Sequence, residues 1–160
     1  MKTLVLVRHA KSAWDAPGLD DHERPLAERG LRDAPEMGRR LAERGLVPGI
    51  IRSSTAIRAR TTAKLLAQAL GIGAGRVELD ERLYGAMPEE ILEVVRDFDD
   101  AADTAMVVAH DPGLSDLAFA LSGTMEHMPT CAVAEFTFDV GSWAEAVEAD
   151  PVETRFDTPR

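Results

Sequence analysis

The chain has 160 residues, which fits one domain over residues 1–160 with a core large enough to stand alone. Lys+Arg is 18 and Asp+Glu is 28, so the net charge is −10, and binding to nucleic acid or to an anionic membrane by bulk charge is disfavoured. The single cysteine, Cys131, excludes an intrachain disulfide and a cysteine-based zinc cage and fits a reducing compartment.

Leu4-Val5-Leu6-Val7 is a continuous apolar run of β-formers and predicts a strand buried on both faces. The run is too short for a signal or membrane-spanning segment, so the cytoplasm is the expected location. Trp14 to Arg24 is polar, contains Pro17 and Gly18, and predicts a loop. Leu26 to Gly45 has helical spacing at Leu31, Met37, Leu41 and Ala42; Pro35 interrupts it, and a capping box from Asp33 and Glu36 predicts a kink or restart there, with Gly45 as the C-cap. Ile50-Ile51 predicts a second strand. Ser53, Ser54 and Thr55 are expected to cap a helix from Ala56 to Leu70 with Ala59, Ala63, Leu66 and Leu70 on one face, stopped by Gly71. Val77 to Leu79 is a weak third strand. Pro88 opens a helix with Ile91, Leu92, Val95 and Phe98 as its core stripe. Ala105 to Ala109 is a fourth strand, Leu114 to Leu121 a helix stopped at Gly123, and Val133 to Val140 a strand with Phe136 and Phe138 on one face. An edge strand is expected near Val152 to Phe156. Strands alternating with helices argue a three-layer α/β/α domain with a mainly parallel central sheet, whose ligands bind at the carboxyl ends of the strands.

Two of those ends carry a histidine. The first strand runs into Arg8-His9-Ala10-Lys11-Ser12 and the fourth into His110-Asp111-Pro112. The second ends at Ser53-Ser54, and Arg58 follows near the helix start, where it can point over the strand ends; Arg60, two positions on, cannot share that direction. Taken alone, each histidine reads more often as a surface or capping residue than as a catalyst, and Arg58 reads as part of a solvated face. Together they place cations at one sheet edge of an acidic protein, and a phosphoryl group supplies a reason, because arginine forks match its oxygens. Gly71-Ile72-Gly73-Ala74-Gly75 follows a helix and reads as a turn. Asp99, Asp100 and Asp103 read as a solvated helix end, and Cys131 as packing or rim.

Leu6-Val7-Arg8-His9-Ala10 resembles the RHG signature of the histidine phosphatase superfamily, the phosphoglycerate-mutase-like fold. The segment from Ser53 to Ala63 is similar to its SSPxxRAxxTA motif, and Val107-Val108-Ala109-His110 to the strand carrying its second histidine. Arg24-Pro25-Leu26-Ala27-Glu28-Arg29-Gly30 is similar to the RPLxxxG of the short, SixA-type phosphohistidine phosphatases. Two departures stand out. Ala10 replaces a glycine, so its backbone must avoid conformations open only to glycine, and Thr55 replaces a proline.

The resemblance implies that His9 is the nucleophile. It implies that Arg8, Arg58 and a protonated His110 bind the equatorial phosphoryl oxygens, with no metal and no cofactor. Arg24 reads either as a further clamp residue or as a loop arginine paired with Asp20 or Asp21; Lys11 and Ser12 read as rim or as loop solvation. Leu79 to Gly85 resembles the mutase segment that carries a general acid and would put it on Glu81, whose other reading is structural. The expected substrate is a phosphoprotein bearing phosphohistidine. The alternatives are a small phosphate ester turned over with Glu81 as acid and, in another class, a non-catalytic module that binds phospho-ligands.

Overall fold

The computed structural model describes residues 1–15 and 17–160; Ala16, inside the predicted Trp14–Arg24 loop, lies outside them. Six strands form one sheet: β1 (Lys2–Arg8), β2 (Ile50–Ser53), β3 (Val77–Leu79), β4 (Thr104–Ala109), β5 (Val133–Phe138) and β6 (Glu153–Asp157), in the order β3-β2-β4-β1-β5-β6. The first four are mutually parallel, and β5 and β6 extend the sheet antiparallel. Among the described residues, five α-helices flank it: α1 (Glu28–Glu43), α2 (Ile57–Ala69), α3 (Pro88–Arg96), α4 (Gly113–Ser122) and α5 (Trp143–Ala146).

The period of two along β1 divides the core into two layers. Leu4 and Leu6 pack with Val107, Phe136 and Phe138 against α3, α4 and α5. Val5 and Val7 pack with Met106 and Val108 against α1 and α2. All four β1 residues are essentially inaccessible, and burying each is worth about 1.5–3 kcal/mol, which anchors the strand at the centre of the sheet. β6 is exposed along its whole length and carries Glu153, Arg155 and Asp157, charges that discourage further pairing at this edge.

The structure departs from the sequence reading in several places. α1 does not restart at Pro35; it is one helix with the proline inside it. Asp33 and Glu36 form no capping box, because Asp33 accepts from Arg160 Nη1 at 3.0 Å and Glu36 accepts from Arg39 and Arg40. The buried stripe of α1 is Gly30, Ala34, Met37, Gly38 and Leu41, while Leu31 and Ala42 face solvent. Small residues that let α2 approach outweigh the larger apolar side chains. α2 is led by Ala56 without a side-chain cap; Ser54 Oγ accepts the Ala56 N–H at 3.2 Å, just ahead of the first turn. The predicted loop contains a 3₁₀ turn, Asp21–Glu23, and β5 stops at Phe138. The acidic residues after α3 are solvated as expected, with Asp99, Asp100 and Asp103 all exposed, and two of them also bond: Asp100 accepts the Trp143 N–H and Asp103 pairs with Lys2.

Gly30 is where the fold touches the site. A Cβ added there would drive into the backbone of Lys11, two residues after His9. Gly30→Ala is therefore expected to destabilise the protein by about 1–3 kcal/mol in urea denaturation, as overpacking does. Gly75→Ala, where nothing lies within 4 Å, should stay within about 0.5 kcal/mol of the parent.

Candidate active site

The register of β1 on β4 builds the site. Arg8 pairs with Ala109, and the His9 N–H donates to the Ala109 carbonyl at 3.1 Å. The next residues, His9 and His110, leave neighbouring parallel strands at one level, and their ring centroids lie 5.2 Å apart. On the other side of β4, Ser53 pairs with Val108 and the Ser54 N–H donates to the Val108 carbonyl, which brings Ser54 Oγ to 2.8 Å from His110 Nε2. Thr62, one turn after Arg58, ties α2 to the same loop. Its hydroxyl donates to the Arg58 carbonyl at 2.7 Å and accepts the Ala10 N–H at 3.0 Å. Ala10 is fully buried, and its φ is not positive, so the missing glycine brings no strain.

A cleft of about 160 Å³ opens at these strand ends, lined by Arg8, His9, Lys11, Ser12, Trp14, Arg24, Arg58 and Thr130. Two hollows of about 500 Å³ lie at the opposite, amino ends of the strands, around Thr3 and Thr104 and around Gly49 and Ile50; neither is lined by histidine or cysteine. Arg8 Nη1 donates to the Met128 carbonyl at 3.0 Å and sits 3.6 Å from Asp111, which Ser115 holds through its N–H and hydroxyl. Arg24 donates from Nε to the Ala13 carbonyl, from Nη1 to Asp21 at 2.9 Å and from Nη2 to Ser12 Oγ, and its guanidinium stacks on Trp14. Arg58 donates from Nη1 to the Asp21 carbonyl and from Nη2 to the Asp21 carboxylate. Arg8 Nε and His110 Nδ1, like Arg52 Nε beside the hollow around Gly49, are buried without a hydrogen-bond partner among the described residues, and such orphaned groups are uncommon.

The hydrogen bonds decide the His9 tautomer. His9 Nδ1 lies 2.7 Å from the Ala10 carbonyl, which can only accept, so Nδ1 carries the proton and Nε2 keeps its lone pair. Burial pushes the His9 pKa down to about 4, against the opposing pull of that carbonyl, and Arg58, Arg8 and Arg24 push the same way as burial. Burial, then His9 and Arg58, push His110 down to about 3. His110 is thus neutral near pH 7, a resting state that the sequence left open, and a neutral ring still donates from one nitrogen.

Arg8, His9, Lys11, Ser12, Arg24 and Arg58 share the cleft, and His110 stands beside His9. Arg24 satisfies both of its readings, since it lines the cleft and pairs with Asp21. Glu81 is not among the lining residues; it is exposed on a 3₁₀ turn, Glu81–Leu83, that leads to Tyr84. Sequence reasoning passed over Tyr84, which meets His110 edge-on at 5.5 Å, and left Asp21 only as a partner for Arg24. No periodicity marks either residue. Among the described residues, no group of three or more His, Cys, Asp or Glu could hold a metal ion, and no helix is long and apolar enough to cross a membrane.

Both imidazoles are buried uncharged, so acid weakens the fold. Below pH 6.5 an unfolded chain takes up protons that folded His9 and His110 refuse until about pH 4 and about pH 3. Stability is full above pH 6.5 and is lost as pH falls through that window, on the order of a few kcal/mol for the pair. Thermal melts between pH 7 and pH 4 should show a steeper fall in Tm for the parent than for a His9→Gln, His110→Gln double variant; equal slopes would remove this contribution.

Residues 4–112 match the histidine phosphatase superfamily (branch 1). An uncharacterized protein of Mycobacterium tuberculosis (strain H37Rv) is 38% identical over 167 residues, covering 96% of this chain and 100% of that protein. A crystal structure assigned as phosphohistidine phosphatase SixA, from Agrobacterium tumefaciens, superposes with a TM-score of 0.80 at 25% identity, covering 96% of this chain and 97% of that one. A 2,3-bisphosphoglycerate-dependent phosphoglycerate mutase of Thermobifida fusca is 38% identical over 93 residues, 54% of this chain and 38% of the mutase. With its phosphoglycerate-mutase-like fold and its arginine-lined cleft beside two histidines, the chain belongs to the histidine phosphatase superfamily and is a phosphatase.

Proposed function

We propose that the protein hydrolyses phosphohistidine on a phosphoprotein through a covalent phosphoenzyme at His9, without a metal ion or cofactor. The observation that carries this reading is the His9 Nδ1–H bond to the Ala10 carbonyl, which leaves an unprotonated Nε2 with a free lone pair on a neutral ring beside three guanidinium groups. The likeness to SixA at a TM-score of 0.80 supports the choice of substrate. So do the short segments from Ser12 to Arg24 and from Tyr84 to Glu89, which leave the cleft open to a histidine protruding from another protein.

The Nε2 lone pair attacks phosphorus in line, and a P–N bond forms at His9 as the P–N bond to the substrate imidazole breaks. The imidazole leaves with the electron pair and takes a proton from solvent. Water then attacks phospho-His9, releasing inorganic phosphate and restoring the ring. Arg8, Arg58 and His110 bind the equatorial oxygens and meet the charge that grows in the transition state, with Arg24 as a further clamp residue and Lys11 and Ser12 at the rim. Imidazole is a better leaving group than an alkoxide, so the reaction has no need of Glu81 as an acid. The single cysteine, buried at Cys131, fits a reducing compartment, and we place the reaction in the cytoplasm.

Incubation with a phosphohistidine protein and a rapid quench should trap an acid-labile phosphoenzyme. His9→Ala should abolish both the trapped species and turnover, and activity surviving at the parent level would remove the mechanism. Arg58→Ala should cost about 10²–10³-fold in kcat, the scale of losing one transition-state donor. Glu81→Gln should stay within about twofold of the parent on this substrate; loss of turnover only on alkyl phosphates would favour the small-ester reading. Vanadate should inhibit, and a chelator should leave the rate unchanged. A strict metal requirement would overturn the guanidinium clamp.

A further inference from the structure

The mechanism leaves one charged group at the cleft unexplained. Asp21 Oδ1 accepts from Arg24 Nη1 at 2.9 Å, Oδ2 accepts from Arg58 Nη2 at 2.9 Å and from the Tyr84 hydroxyl at 2.7 Å, and its carbonyl accepts from Arg58 Nη1 at 2.6 Å. Two of the four cations lining the cleft therefore spend hydrogen bonds on this residue. Its turn is pinned from a second side. His22 Nε2 lies 2.8 Å from the hydroxyl of Thr55, the residue that stands where the family motif has proline, and the His22 ring meets Tyr84 edge-on. Asp21 is thus held in place against two of the cleft arginines, yet its side chain remains 50% exposed; it lines a hollow of about 250 Å³ that shares Trp14 and Arg24 with the cleft, so its charge borders the cleft without lining it. Asp20 and Glu23, also exposed, add charge of the same sign. The Tyr84 hydrogen bond first, then those from Arg58 and Arg24, hold the Asp21 carboxyl well below the usual range, so it stays ionised.

We propose that Asp21 is a specificity-determining residue: its carboxylate turns away phosphate compounds that carry a second anion beside the phosphoryl group, and admits those whose leaving group is neutral or cationic, imidazole included. The inference rests on the reading of this cleft as the phosphoryl site and deepens it. A dianionic phosphoryl group draws on the arginines. A carboxylate next to it then meets a fixed like charge, and at about 6 Å in a partly wet site that repulsion corresponds to about tenfold in affinity.

The test uses glycerol 3-phosphate and 3-phosphoglycerate, which differ by a hydroxymethyl group against a carboxylate. The parent should prefer glycerol 3-phosphate, and the preference should narrow as salt is raised. Asp21→Asn should shift the kcat/KM ratio about tenfold toward 3-phosphoglycerate, chiefly through KM, whereas Asp21→Glu, which disturbs the same contacts but keeps the charge, should leave the ratio near the parent's. Equal losses on both compounds in both variants would mean that Asp21 only positions Arg58, and would overturn the proposal. So would a parent without preference at low salt. If neither compound is turned over, the result leaves hydrolysis of phosphohistidine standing, because both have alkoxide leaving groups; failure of that reading is shown instead by phosphohistidine proteins left intact. Calorimetric dissociation constants for the same two compounds on parent and Asp21→Asn then decide the matter: a shifted ratio upholds the discrimination, and an unchanged ratio removes it.

Discussion

The site depends on one register. β1 and β4 lie side by side and parallel, with Arg8 opposite Ala109, so two histidines about a hundred residues apart in the chain emerge at one level with their rings 5.2 Å apart. A shift of one residue would turn one ring to the other face of the sheet. The register is held by burial, because Leu4 to Val7 and Ala105 to Val108 are inaccessible on both faces and no slipped pairing would keep both core layers filled.

The electrostatics of the cleft follow from the same burial. An acidic chain concentrates Arg8, Arg24 and Arg58 at the strand ends, and burial beside them keeps both imidazoles uncharged. The arginines supply positive charge while His9 keeps a free lone pair, and these are opposite demands on neighbouring groups. A carbonyl that can only accept reconciles them by naming the nitrogen that bears the proton. Asp21 then balances part of the arginine charge without entering the core.

Much of this was legible in the residues. The apolar runs of β1 and β4, Pro88 at the start of α3, and the glycines after α1 and α2, Gly45 and Gly71 with φ of +77° and +75°, are local signals read by local rules. Arg8, His9, Arg58 and His110 could be proposed as neighbours because parallel α/β sheets gather ligands at their carboxyl ends. The face of α1 was misjudged for a physical reason. Gly30, Ala34 and Gly38 carry little hydrophobic signal of their own, and what buries them is the close approach of α2 and of the Lys11 backbone. Pro35 misled in the same way, since that packing carries the helix through a residue that cannot donate its hydrogen bond.

By itself the sequence determined what depends on neighbours along the chain: the elements, their alternation and the residue types at each strand end. Only the tertiary structure decided what depends on groups brought together from afar. It set the His9 tautomer, which needs the loop folded back onto its own carbonyl, and the neutrality of His110, which needs burial beside His9 and Arg58. It also set the placement of Asp21, whose partners Arg58 and Tyr84 come from distant segments. Burial and Coulomb interactions act through space, and no pattern confined to one segment encodes them.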